Sequence, residues 1–118
     1  MVILIAEDDE LILRTIEHKL IKEGYDVILS RNGKEAIEYI KNSEIDLIIT
    51  DIMMPFVSGI EILSALNLME KKIPVIMLSS MGQEEVILTA FDLGASDFIV
   101  KPFSPNELML RVKRLIAK

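Results

Sequence analysis

The stretch Leu47-Ile48-Ile49-Thr50-Asp51 decides the reading of this chain. It is a brief apolar run without polar alternation, closed by a carboxylate and followed by a loop containing Pro55. Such a run, rich in β-branched residues, reads as a strand buried on both faces, the habit of parallel sheets. Leu47–Thr50 is one of five such candidates, the others being Val2–Ala6, Tyr25–Leu29, Val75–Leu78 and Phe98–Val100. Amphipathic stretches separate them. Glu10–Glu23 sets Leu13, Ile16 and Leu20 on one face, with Gly24 as its stop. Lys34–Lys41 aligns Ala36, Ile37 and Ile40; Ser58–Leu68 carries Ile62, Leu63 and Leu66; Glu84–Leu93 ends at Gly94. In the last helix Ser104 is the expected N-cap, Pro105 opens the first turn and Glu107 completes a capping box. Leu108, Val112, Leu115 and Ile116 form its stripe, with Arg111, Lys113, Arg114 and Lys118 toward its C-terminal end. Five βα units predict an α/β fold: a five-stranded parallel sheet with five helices on both faces.

Composition narrows the function. The 118 residues suit a single domain, 1–118, and 51% apolar content supports a real core. Thirteen Lys and Arg against 19 Asp and Glu give a charge of −6, which argues against direct binding to nucleic acid. Without cysteine there are no disulfides, no thiolate chemistry and none of the usual zinc sites. No apolar run reaches membrane length, and the opening MVILIA is too short for a secretory signal. The expectation is a cytoplasmic protein that does not engage a membrane.

In parallel sheets ligands bind beyond the carboxyl ends of the strands, so the residues there carry the chemistry. Glu7, Asp8 and Asp9 follow the first run, Asp51 the third, Ser79 and Ser80 the fourth, and Lys101 with Pro102 the fifth. No glycine-rich phosphate loop follows the first strand. Clustered carboxylates repel one another and phosphate unless a divalent cation intervenes. An all-oxygen donor set suits Mg²⁺ or Mn²⁺. With a metal in place, Asp51 at the end of a rigid strand is the candidate nucleophile toward a phosphoryl group. Lys101 and the Ser79 hydroxyl would balance charge on its oxygens. Asp9 reads as a helix cap rather than a ligand.

These residues resemble the receiver domain of two-component response regulators along the whole chain. LIAEDD, DLIITDIMMP with SGIEIL, PVIMLSS and GASDFIVKPFSPNELMLRV stand in order at the family's spacing. The resemblance implies the flavodoxin-like (βα)5 receiver fold, with Asp51 as phosphoacceptor and Glu7 and Asp8 as the acidic pair. It further implies that Met53 lends a backbone carbonyl to the metal, that Ser79 and Phe98 are the switch hydroxyl and aromatic, and that Lys101 binds phosphate before a cis Pro102. Glu in place of Asp at residue 7, and Ser in place of Thr at residue 79, still supply the required oxygen. The implied donor is a histidine kinase or phosphotransfer protein. The implied output is a downstream protein or a second copy, bound through the Glu84–Ile116 face. The last third looks like the winged-helix transcription-factor subfamily, with Asp97 and Arg111 able to pair across a dimer. Ile87 stands at a position charged in that subfamily, facing Glu107 without a basic partner.

Two other function classes compete. A phosphohydrolase using Asp51 would need a second acid two residues on, where Met53 stands, and a cap domain for which there is no room. A phosphorylation-independent binding module would not need the acids, Ser79 and Lys101 together. His18 reads as exposed and the seven methionines mostly as core filler. In the resembled family, the positions of Met53 and Met81 influence hydrolysis of the phosphoryl group. A thioether cannot orient water strongly, which predicts a long-lived phosphorylated state. The chain reads either as a stand-alone regulator or as part of a longer one.

Overall fold

A computed structural model describes residues 1–116; Lys118, expected in the basic end of the last helix, lies outside the described residues. Five strands alternate with five helices. They are β1 Val2–Ala6, α1 Glu10–Lys22, β2 Asp26–Ser30, α2 Gly33–Asn42, β3 Leu47–Asp51, α3 Gly59–Leu68, β4 Val75–Ser79, α4 Glu84–Asp92, β5 Asp97–Val100 and α5 Pro105–Ile116. All neighbouring strands are parallel, in the order β2-β1-β3-β4-β5. The order reverses between β1 and β3, so their carboxyl ends flank the crevice where such sheets bind ligands.

Hydropathy along the strands hides an alternation that the sheet makes real. Ile3 and Ile5 of β1 pack under α1 and α5, with Leu13, Ile16, Leu20, Leu108 and Val112. Leu4 and Ala6 face the other way, onto Ala36, Ile40, Ile62, Leu66 and Ala90 of α2, α3 and α4. Two cores thus sandwich one sheet, and every residue of β3 and β4 is buried. At ~25 cal/mol per Å² of apolar surface removed from water, burial on both faces is the main force holding those strands in place.

Several boundaries differ from expectation. β2 begins at Asp26, because the Tyr25 N–H still bonds the Leu20 carbonyl at 3.1 Å and closes the end of α1. β3 and β4 each run one residue further, taking in Asp51 and Ser79, and β5 starts one residue earlier, at Asp97. Ser104 caps α5 by accepting from Glu107 N–H at 3.1 Å, but the Glu107 carboxylate turns to Arg111 at 3.5 Å instead of closing the box. The reciprocal box forms at Ser58 and Glu61, where α3 begins. Met109 joins the α5 stripe in the core, whereas Leu115 and Ile116 are half-buried. Of the methionines, Met77 and Met109 are buried and Met54 and Met69 pack against the core, but Met1, Met53 and Met81 are exposed. His18 is exposed, as expected.

Close approach of backbones positions the site. A Cβ on Gly59 would lie 2.6 Å from the Asp51 carbonyl oxygen and 3.1 Å from Ile52 Cα. Gly59→Ala should therefore destabilise the fold by roughly 1–3 kcal/mol through overpacking. Urea unfolding of the variant checks this; wild-type stability would mean that the start of α3 is not packed against the end of β3.

Candidate acidic site at the carboxyl edge

Parallel pairing places the ends of β1, β3, β4 and β5 side by side. Asp51 is in register with Leu78, and Ser79 with Val100. Glu7, one residue beyond β1, is completely buried, and its N–H bonds the Ser30 carbonyl at 3.0 Å. Asp51 is 7% exposed. Carboxylate oxygens of Glu7, Asp8 and Asp51 lie within 4.8 Å of one another. Asp8 is the exposed member. Asp9 stands apart, its carboxylate accepting from Leu11 and Ile12 N–H at 3.0 and 3.1 Å as the cap of α1.

One ammonium answers these acids. Lys101 Nζ donates to Asp51 Oδ2 at 2.6 Å and lies 2.7 Å from Glu7 Oε1. Burial works against the lysine's charge, but the Asp51 and Glu7 carboxylates beside it outweigh that and hold its pKa above the ordinary value. Glu7 behaves oppositely. Burial pushes its carboxyl up to about 7, against the pull of Lys101 and of the Asp9 N–H, which donates to Oε2 at 3.1 Å. The contact of Glu7 Oε1 with Lys101 is an ion pair without hydrogen-bond alignment, so that oxygen keeps acceptor capacity.

Three carboxylates against one cation leave an excess of negative charge in a partly desolvated pocket. Oxygen donors in that number, one of them buried without a hydrogen-bond donor, fit a hard divalent cation. Ser79 adds a second unmatched group: it is fully buried and its Oγ has no hydrogen-bond partner. A buried hydroxyl left unsatisfied costs ~1–3 kcal/mol, so such a group calls for a ligand or a second state.

Other groups hold the end of β3 around Asp51. The Met53 N–H donates to Asp51 Oδ1 at 3.3 Å. The buried Thr50 hydroxyl, which sequence reasoning passed over, donates to the Asp51 carbonyl at 3.0 Å. Nothing in the sequence distinguishes Thr50 from an ordinary strand threonine.

Phe98 lies away from the acids. It is half-buried, paired in register with Met77, and meets Phe91 edge-to-face with ring centroids 5.8 Å apart. Beside it, a cavity of about 640 Å³ is lined by Met81, Ile87, Leu88 and Val100, among others. Ile87 is thus directed into this apolar region and offers Glu107 no charge, and Glu107 pairs instead with Arg111 on its own helix at 3.5 Å. Asp97, 7% exposed, bonds Arg111 at 3.0 and 3.1 Å and Arg114 at 2.8 Å within the same chain.

Comparison with known proteins agrees with this architecture. The model of the response regulator receiver domain matches residues 3–113. Response regulator RR06 of Streptococcus pneumoniae is 42% identical over 118 residues, covering 100% of this chain and 54% of that protein. The alkaline phosphatase synthesis transcriptional regulatory protein PhoP of Bacillus subtilis is 35% identical, over 98% of this chain and 48% of its own length. The chain therefore spans about half the length of the curated relatives it matches. Among solved structures, the Francisella response regulator 1452 receiver domain superposes with a TM-score of 0.89 at 36% identity, covering 97% of this chain and 94% of that one.

The raised Glu7 pKa makes a directional prediction about the metal-free protein. A carboxyl protonated more readily when folded contributes stability that is complete below its ordinary 4.5 and is lost as pH rises through about 7. In chelator, melting temperature should fall between about pH 5 and pH 8 more steeply for wild type than for Glu7→Gln. Parallel pH profiles for the two proteins would show that Glu7 is not the strained acid.

Proposed function

Because the chain belongs to the response regulator receiver domain family, we propose that Asp51 takes a phosphoryl group from a histidine kinase or phosphotransfer protein. The observation that carries this reading is the Lys101 ammonium, 2.6 Å from Asp51 Oδ2, beside an acidic cluster within 4.8 Å. Glu7, Asp8, Asp51 and the backbone carbonyl of Met53 would hold Mg²⁺, with Mn²⁺ as the second candidate. Such an ion, when bound, neutralises charge on the transferring oxygens.

The protein's own groups supply the rest. A carboxylate oxygen of Asp51 forms the new bond to phosphorus, the P–N bond of the phosphohistidine breaks, and the electron pair stays with the imidazole. Lys101 already faces the nucleophile and can pair with an equatorial oxygen of the incoming group. Ser79 has its hydroxyl proton free to donate to another. Transfer depends chiefly on position and charge, which a nucleophile at the end of a buried strand satisfies.

The chain acts on its own phosphorylation and dephosphorylation and does not turn over small phosphoesters. Met53 has no acid–base group to offer at the position where a phosphohydrolase would need one. Residues 1–118 form one receiver domain, either a stand-alone regulator or the receiver part of a longer one.

Phosphorylation would be read out on the α4–β5–α5 face, Glu84–Ile116. A bond from Ser79 to the phosphoryl group draws the loop after β4 inward, and Phe98 turns toward the space released. A downstream protein or a second copy would dock there. A second copy would exchange the Asp97–Arg111 and Asp97–Arg114 pairs rather than add to them, since both are already made within one chain.

Intact-mass measurement after incubation with a small phosphodonor and Mg²⁺ tests the assignment. One added phosphoryl group is expected in wild type and none in Asp51→Asn or in chelator. Equal labelling of Asp51→Asn would overturn it.

A further inference from the structure

The peptide unit that joins Ser79 to Ser80 is held from both sides. Its carbonyl accepts from the Lys101 N–H at 2.7 Å, and its N–H donates to the side-chain oxygen Oε1 of Gln83 at 2.6 Å. Between these residues the chain is open to solvent at Ser80, Met81 and Gly82. Gly82 makes the turn at a φ of 86°, a conformation that glycine takes without strain. Among the described residues no other hydrogen bond joins Ser80 to the start of α4.

Gln83 gives up a different role to make this contact. It stands at the N-cap of α4, where a side chain ordinarily accepts from an N–H of the first turn. Asp9, Asn32, Ser58 and Ser104 do so at α1, α2, α3 and α5. α4 has no such bond, because the Gln83 carboxamide reaches back to Ser80 instead. The helix itself is anchored in the core by Ile87 and Ala90, so Gln83 ties the residue after Ser79 to a fixed point.

We propose that Gln83 is a positioning residue that latches the segment after Ser79 in its resting place. The proposal rests on Asp51 being the phosphoacceptor and on Ser79 bonding the group placed there. As Ser79 is drawn inward, the peptide unit pivots on its Lys101 bond and its N–H leaves Gln83 Oε1. The latch therefore opposes occupation of the pocket by the strength of one hydrogen bond, and removing it should favour the drawn-in form.

The test titrates the chain with beryllofluoride and Mg²⁺, followed by backbone NMR, and measures hydrogen exchange of the Ser80 amide without the mimic. Gln83→Met keeps the length of the side chain but loses the strong acceptor. It should bind the mimic roughly 2- to 10-fold more tightly than wild type and exchange the Ser80 amide faster. Gln83→Ser also releases Ser80 but can cap α4, so an equal gain there separates release of the segment from fraying of the helix. In a Ser79→Ala background, where nothing draws the segment inward, Gln83→Met should bring no gain. Unchanged or weaker binding by both Gln83 variants overturns the latch alone, as does a gain that persists in full without the Ser79 hydroxyl. If wild type does not bind the mimic, the assignment of Asp51 fails and the proposal falls with it.

Discussion

The ammonium of Lys101, set between the carboxylates of Asp51 and Glu7, is the interaction on which the carboxyl edge of the sheet depends. It joins the residue just past β5 to the end of β3, across β4, and to the residue just past β1 beyond it. Without it, two largely buried carboxylates would face each other at close range, and an uncompensated buried charge typically costs ~3–5 kcal/mol. With it, the pocket is still one cation short. Glu7 answers that deficit by holding its proton to about pH 7, a direct consequence of burial. A divalent cation would answer it differently, by favouring the ionised form of Glu7. The same imbalance accounts for the raised Glu7 pKa and for the fit of the three acids to a hard cation.

A second constraint acts on the neighbouring strand. Ser79 ends β4 with a buried hydroxyl that has no partner, and β5 runs beside it in strict register, Ser79 against Val100 and Met77 against Phe98. A phosphoryl group would give that hydroxyl something to bond, and the gain of ~1.5–3 kcal/mol for a bond to a charged acceptor suffices to shift a two-state balance tenfold or more. Phe98 would be the residue to respond. It is half-buried against the core, meets Phe91 edge-to-face, and borders an apolar cavity of about 640 Å³.

Much of this was legible in the sequence, and the exceptions have physical causes. The five strands are visible because both faces of the sheet are covered, so the runs are apolar throughout. That same coverage hides which residue faces which core. The site is legible because its acids, Ser79 and Lys101 sit at or just past the ends of those runs, where backbone pairing brings them together without further assumption. Side chains that choose among partners are not legible. Glu107 has a capping box available but takes Arg111, one turn away, and Asp97 finds Arg111 and Arg114 within its own chain. Methionine composition says nothing about exposure, and three of the seven are on the surface. Thr50 looks like any strand threonine until its hydroxyl is found on the Asp51 carbonyl.

Charge placed at Asp51 would be transmitted through the Ser79 hydroxyl to the α4–β5–α5 face. Backbone NMR with Mg²⁺ and beryllofluoride, a mimic of the aspartyl phosphate, tests it most directly when wild type is compared with Ser79→Ala. Wild type should show shifts at residues 79–82 and on through Phe91, Phe98 and α5, while Ser79→Ala should bind the mimic at the acidic pocket with those distant shifts much reduced. Full-sized distant shifts in Ser79→Ala, or shifts confined to the pocket in wild type, would contradict it.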